Sequence, residues 1–306
     1  MSSTGTGVDL HPNLYGYVPT KSVCATFVVL FGVSTVLHTW QAYRSREWWL
    51  VWTVLIAGVA EVGGWVARTL SANDPTSLIP FIVQYALETL RHAAIVLVLA
   101  PTPLVAALFM GFGRVAERLG PEYSRLSPRM YSRIFLTCDL IALNIQGGGG
   151  GLTANPKLSP SIVRIGSYIV LGGLIFQLIA MSIFIHLVAE YVWRRAADCP
   201  FRKPGTPGNE EDAHRVLTRE MKLLITGICI STVFVYLRSV YRVIEFANGS
   251  NGPIIHTQVL FNVFDGAMIT LGMFALNFMH PGMLLKSTAA DAGFELTEQP
   301  PHAVAT

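Results

Sequence analysis

The sequence predicts an all-α polytopic membrane protein, a bundle of seven transmembrane helices. Three observations predict it. Of 306 residues, 52% are hydrophobic and only 13% are charged, against about 25% charged in a soluble domain. Mean hydropathy is +0.47, and apolar runs near the ~20 residues that cross a hydrocarbon core recur along the chain. Basic residues gather in alternate connections, as the positive-inside rule requires.

Residues 1–19 read as an extracellular polar tail with neither the basic start nor the apolar run of a cleavable leader, so the first membrane helix is expected to serve as its own targeting signal. Helices are expected at residues 21–40 and 48–70, with a turn at Asn73, Asp74 and Pro75. A third, bent helix runs from about 79 to 110, kinked where Pro101 and Pro103 each remove a backbone donor. The fourth helix, residues 131–146, is expected to end where Gln146 meets five glycines. Glycine loses the most backbone entropy in a helix, and Gly147, Gly148 and Gly149 are therefore candidate hinge residues. Helices at 162–191, 221–244 and 256–279 follow, and His280, Pro281 and Gly282 stop the last. The transmembrane domain is thus 20–282, followed by a disordered cytosolic tail, 283–306.

Seven crossings put the two ends on opposite sides. One set of connections holds fifteen Lys and Arg residues, from Arg44 to Lys286; the other holds Lys21, Lys157 and Arg164. That asymmetry puts the N-terminus outside and the C-terminus in the cytosol. The glycosylation sequon at Asn248 then falls outside. The arginine-rich loop at 113–133 reads either as plain inward-facing topology or as a binder of anionic headgroups.

Cys24, Cys138, Cys199 and Cys229 share no motif spacing, so neither a disulfide framework nor a zinc site is expected. The five glycines follow no strand and precede no Lys-Ser/Thr, which excludes a phosphate-binding loop there. His38, His186 and His280 fall near cytosolic helix ends without ligand spacing inside any one helix. No metal, cofactor or nucleic-acid partner is expected; the oligomeric state stays open.

The polar residues inside the spans are informative through their phase. Glu61 and Arg68 are seven apart; Glu88, Arg91 and His92 stand at i, i+3, i+4; Asp139 and Gln146 are seven apart. Arg238, Arg242 and Glu245 stand at i, i+4, i+7, and Asn262 and Asp265 are three apart. Such spacings place each set on one helix face, while Asn144 lies off the face of its helix. Lipid does not solvate these groups, so the faces turn toward one another or toward a wet cavity. The expectation is an outward-facing polar vestibule above two acids nearer the midplane, Asp139 and Asp265. Its four arginines against five carboxylates leave one spare negative charge, which suits a cationic ligand. The plainer reading is that the groups pair to hold the bundle together.

Several segments in order resemble the fungal RTA-like, lipid-translocating exporter family of seven-span proteins. They are Glu61-x-x-Gly64-Trp65-x-x-Arg68, Leu99-Ala100-Pro101 with Ala106-Ala107, Gly113-Arg114-Val115 and Phe135-x-x-x-Asp139. Gln146-Gly147-Gly148-Gly149, Arg238-x-x-Tyr241-Arg242-x-x-Glu245, Phe264-Asp265 and His280-Pro281-Gly282 complete the set. Trp65 stands where a tyrosine is common, and the glycine run is longer than usual. The resemblance implies a fungal plasma-membrane or endomembrane protein that exports or translocates sphingoid long-chain bases or toxic amphiphiles, with one branch linked to porphyrins. Its partners would be a membrane lipid or amphipathic small molecule and the bilayer itself.

Three functions compete. A transporter of an amphipathic lipid would meet an ammonium head with Glu61, Glu88, Glu245 or Asp139 and leave the tail in the bilayer. A seven-helix lipid sensor or receptor fits the topology, but Gly113-Arg114-Val115 and the end of the seventh helix depart from the G-protein-coupled receptor motifs. A zinc hydrolase needs histidines beside the acids, and the histidines sit mostly at the other side.

Overall fold

The computed structural model describes residues 20–73, 102–154, 158–201, 218–248, 254 and 257–286, and all their regular structure is helical. Helix α1 is Lys21–Ser45. Helix α2 runs through Trp48–Leu50, a π-helical stretch Val51–Leu55 and Ile56–Asn73. Then come α3, Thr102–Leu119, α4, Pro128–Ala154, α5, Pro160–Ala196, and α6, Arg219–Ala247. Helix α7 joins Gln258–Phe261, a π-helical stretch Asn262–Ala267 and Met268–Phe278. Five helical segments among the described residues are long and apolar enough to cross a membrane: Lys21–Ser45, Trp48–Val66, Pro160–Ala196, Arg219–Ala247 and Gln258–Lys286. Their outward side chains are apolar, as lipid contact requires; Val29, Val59, Ile165, Ile179 and Val233 are all exposed.

Local chemistry explains the ends. Thr218 caps α6, its hydroxyl accepting from the Met221 N–H at 3.4 Å. Pro160 opens α5 in the first turn, where its missing N–H costs no hydrogen bond. At 37 residues, α5 is roughly 55 Å long at 1.5 Å per residue. It overshoots a ~30 Å hydrocarbon core and carries Arg194 and Arg195 in its last turn.

Several boundaries differ from the sequence expectation: α1 runs to Ser45 and α5 to Ala196, each five residues further, and residues 281–286 are helical where a disordered tail was expected from 283. Two further differences bear on the site. Helix α3 continues nine residues past Met110 to Leu119, with Pro103 in its first turn rather than at a kink; Pro101 and the rest of the expected 79–101 segment lie outside the described residues. Helix α4 does not end at Gln146. It stays helical through Gly147–Gly151 to Ala154. Packing supplies what propensity lacks. A Cβ on Gly149 would stand 2.7 Å from the Gly166 carbonyl oxygen, and one on Gly166 would stand 2.8 Å from the Gly149 oxygen. The two glycines let the α4 and α5 backbones touch, and this is the most extensive helix pair among the described residues. Gly147, Gly148 and Gly151 face open space. The hinge residues thus lie within a continuous helix.

Between α3, α4 and α5 the core is aromatic. Phe109 and Phe112 of α3, Tyr131 and Phe135 of α4, and Phe184 and Tyr191 of α5 meet at ring-centroid separations from 4.7 Å upward, mostly edge to face. Helices α1 and α7 are joined by polar contacts instead. Asn277 Nδ2 donates to Ser34 Oγ at 2.5 Å, Gln41 Nε2 donates to the Asn277 carbonyl at 2.9 Å, and His38 Nε2 lies 3.1 Å from the Met273 carbonyl.

Candidate functional site

Apart from the α1–α7 contacts, most buried charged and amide side chains of the described spans fall into two groups on either side of α6. The first is ionic and joins α2, α6 and α7. Arg238 Nε lies 2.8 Å and Arg242 Nε 2.9 Å from Asp265 Oδ1. Neither Nε–H points at that oxygen well enough for a hydrogen bond, but Arg242 Nη2 donates to Asp265 Oδ2 at 3.4 Å. Arg242 also donates through Nη1 to Glu245 Oε2 at 2.8 Å. Glu61 of α2 is near enough to Asp265, Arg238 and Arg242 to feel their charges. All five side chains are buried. Burying ions in this way costs several kcal/mol each unless they are paired, which is why the two arginines and the carboxylates occur together.

Backbone shape helps to set the group. Asp265 sits in the π-helical stretch of α7; such bulges widen a helix locally and re-aim side chains. A Cβ on the next residue, Gly266, would stand 2.7 Å from the Trp65 ring and 2.8 Å from Phe27, so only glycine lets α7 approach here. Arg68 is buried too, its guanidinium 4.0 Å from the Phe261 ring centroid and 5.8 Å from that of Trp65. That is cation–π geometry.

The second group is a hydrogen-bonded amide chain joining α4 and α5. Gln146 Nε2 donates to Gln177 Oε1 at 2.9 Å, and Gln177 Nε2 donates to Asp139 Oδ1 at 2.6 Å. Asp139 Oδ2 is buried with no hydrogen-bond partner among the described residues. Asp139 lines a narrow crevice with Phe109, Phe135, Gln177, Met181 and Ser239, which has room for about one water molecule. Arg238 and Ser239 are consecutive on α6 and so point about 100° apart: Arg238 reaches Asp265 of α7, and Ser239 lines the crevice with α4 and α5.

Sequence phase nominated Glu61, Arg68, Arg238, Arg242, Glu245 and Asp265, and the structure places them at α2, α6 and α7. It places Asp139 and Gln146 together, apart from the ionic group. Glu88 and Arg91 lie outside the described residues. Gln177 was missed. The signal was there, because it is the only amide in the apolar run 165–189. The tertiary fold also brings His38 and His280 together from different helices, with ring centroids 5.7 Å apart. Among the described residues no group of three His, Cys, Asp or Glu is placed to hold a metal ion.

Three arginines of the 113–133 segment have protein contacts. Arg114 pairs with Glu47 at 2.6 Å, Arg118 donates to the Leu285 carbonyl, and Arg125 pairs with Glu190 at 2.7 Å. Outside the spans, Tyr123 donates to Asp198, and that bond raises the pKa of the phenol.

A family model described as RTA1 like protein matches residues 54–288. The chain belongs to the RTA1-like family. Among curated relatives, the sphingoid long-chain base transporter RSB1 of Saccharomyces cerevisiae is 23% identical over 296 residues, covering 90% of this chain and 75% of that protein. The lipid-translocating exporter-like protein RTA1 of Leptosphaeria maculans is 25% identical over 292 residues, covering 90% of this chain and 52% of the relative. Protein RTM1 of Saccharomyces cerevisiae is 23% identical over 310 residues, covering 89% and 92%. No solved structure matches the RTA1-like chain.

Proposed function

We propose that this RTA1-like chain moves an amphipathic lipid, such as a sphingoid long-chain base, across or out of a fungal membrane, the plasma membrane being the favoured one. The observation that carries the reading is the buried polar interior: Glu61, Asp139, Gln146, Arg238, Arg242, Glu245 and Asp265 are each at most 6% exposed within a bundle whose outer surface is apolar. Ionisable groups at membrane depth mark substrate paths by default. The relatives named as a long-chain base transporter and a lipid-translocating exporter support the same substrate class. In this reading the chain crosses the membrane seven times, with the N-terminus outside, and the five apolar helices are among those crossings. The lipid head travels past the polar groups while its tail remains between helices and lipid.

Reconstitution into liposomes tests the reading. Protein-containing vesicles are expected to speed transbilayer movement of a labelled long-chain base over empty vesicles. Glu61→Gln is expected to slow it, compared at equal amounts of folded protein. No acceleration by wild type, with retained lipid binding, would favour a sensor instead.

A further inference from the structure

We propose that Asp139 seats the primary ammonium group of a long-chain amine and that its crevice excludes quaternary ammonium heads. The proposal rests on the reading of the chain as a mover of amphipathic lipids and names the place where the head is held.

Four observations lead to it. Asp139 is 3% exposed, and Gln177 occupies only one of its carboxylate oxygens, leaving Oδ2 with no hydrogen-bond partner among the described residues. A buried acceptor without a partner is costly, and Asp139 lines the crevice. The other buried acids in the described spans lie with arginines: Asp265 with Arg238 and Arg242, Glu245 with Arg242, and Glu61 near both. No salt bridge among the described residues reaches Asp139, so the carboxylate open to an incoming cation is this one. Finally, the crevice supplies more than charge. Ser239 donates its hydroxyl proton to the Val235 carbonyl at 2.9 Å, which leaves its oxygen as an acceptor, and Phe109 and Phe135 add ring faces to the lining.

These features match one head chemistry. A primary ammonium is about the size of a water molecule, which is the space present. It carries three N–H donors, one for Asp139 Oδ2, one for Ser239 Oγ and one for a ring face. A trimethylammonium head has no N–H to give and needs room for three methyl groups. The Gln146–Gln177 chain holds the carboxylate in place from the other side.

The test uses full-length protein in lipid nanodiscs with two probes that share a tail, hexadecylamine and hexadecyltrimethylammonium. Wild type is expected to bind the primary amine about tenfold more tightly or better, the scale of one lost charge-assisted hydrogen bond. Asp139→Asn is expected to cut primary-amine affinity by about tenfold and leave the quaternary probe unchanged. Ala180 also lines the crevice; Ala180→Leu narrows it without touching charge and is expected to weaken the primary amine alone. Equal wild-type affinity for the two heads overturns the seat, as does an unchanged preference in folded Asp139→Asn. Liposome transport by wild type and by Asp139→Asn at the same rate and affinity sinks the seat and leaves the transport reading standing. Binding with the expected preference but without transport supports the seat and sinks that reading.

Discussion

Asp265 and Asp139 are both buried acids, yet their surroundings assign them opposite energetic roles. Asp265 is the shared counter-ion of Arg238 and Arg242. Removing one partner of a buried ionic group costs about 3–5 kcal/mol because the other charges stay behind. Asp265→Ala is therefore expected to lower the thermal unfolding midpoint of the purified protein sharply or to abolish its recovery. Asp139 has no such partner in the described structure, and asparagine keeps the oxygen that accepts from Gln177. Asp139→Asn is expected to shift stability by less than about 1 kcal/mol, measured by the same unfolding experiment. A large loss there would make Asp139 a structural residue. Helix phase showed that both acids turn inward; it carried no information on which one meets an arginine.

At the scale of the element, the α4 glycines show a local rule overruled. Five glycines argue for a helix end, but the α4–α5 contact needs a backbone without a Cβ at Gly149 and Gly166. The run should therefore respond unevenly to alanine. Gly148→Ala, facing open space, is expected to stabilise by about 0.5–1 kcal/mol through helix propensity. Gly149→Ala forces a methyl group into the Gly166 and Val170 backbone and is expected to destabilise. Unfolding midpoints of the two variants, measured side by side, check the contrast; equal shifts would mean that the two helices do not touch there. The π-helical stretch around Asp265 was equally illegible, because the three-residue spacing of Asn262 and Asp265 presumes regular α geometry.

Across the whole molecule, the helix pattern and the distribution of charge carry the topology. Trp40 and Tyr43 near the end of α1, Trp48 and Trp52 at the start of α2, and Trp193 near the end of α5 are exposed. The proposed topology puts all of them at the cytosolic interface, the level at which amphipathic rings settle. An epitope after Lys286 is expected to react with antibody only in permeabilised cells. A tag before Lys21 is expected to react in intact ones if the chain resides at the plasma membrane. Reactivity of both tags on the same side would contradict an odd number of crossings.

Apolar length and charge asymmetry made the sequence sufficient for an all-helical membrane chain with inward-turned polar faces, because each helix meets the lipid constraint within its own residues. The partnership of each buried charge was decided only by the tertiary structure. Arg238 and Asp265, or Asp139 and Gln177, stand on different helices, and their meeting depends on helix rotation and on close approaches such as those at Gly149 and Gly266. Periodicity sets which face a side chain occupies, whereas packing between helices sets what stands opposite.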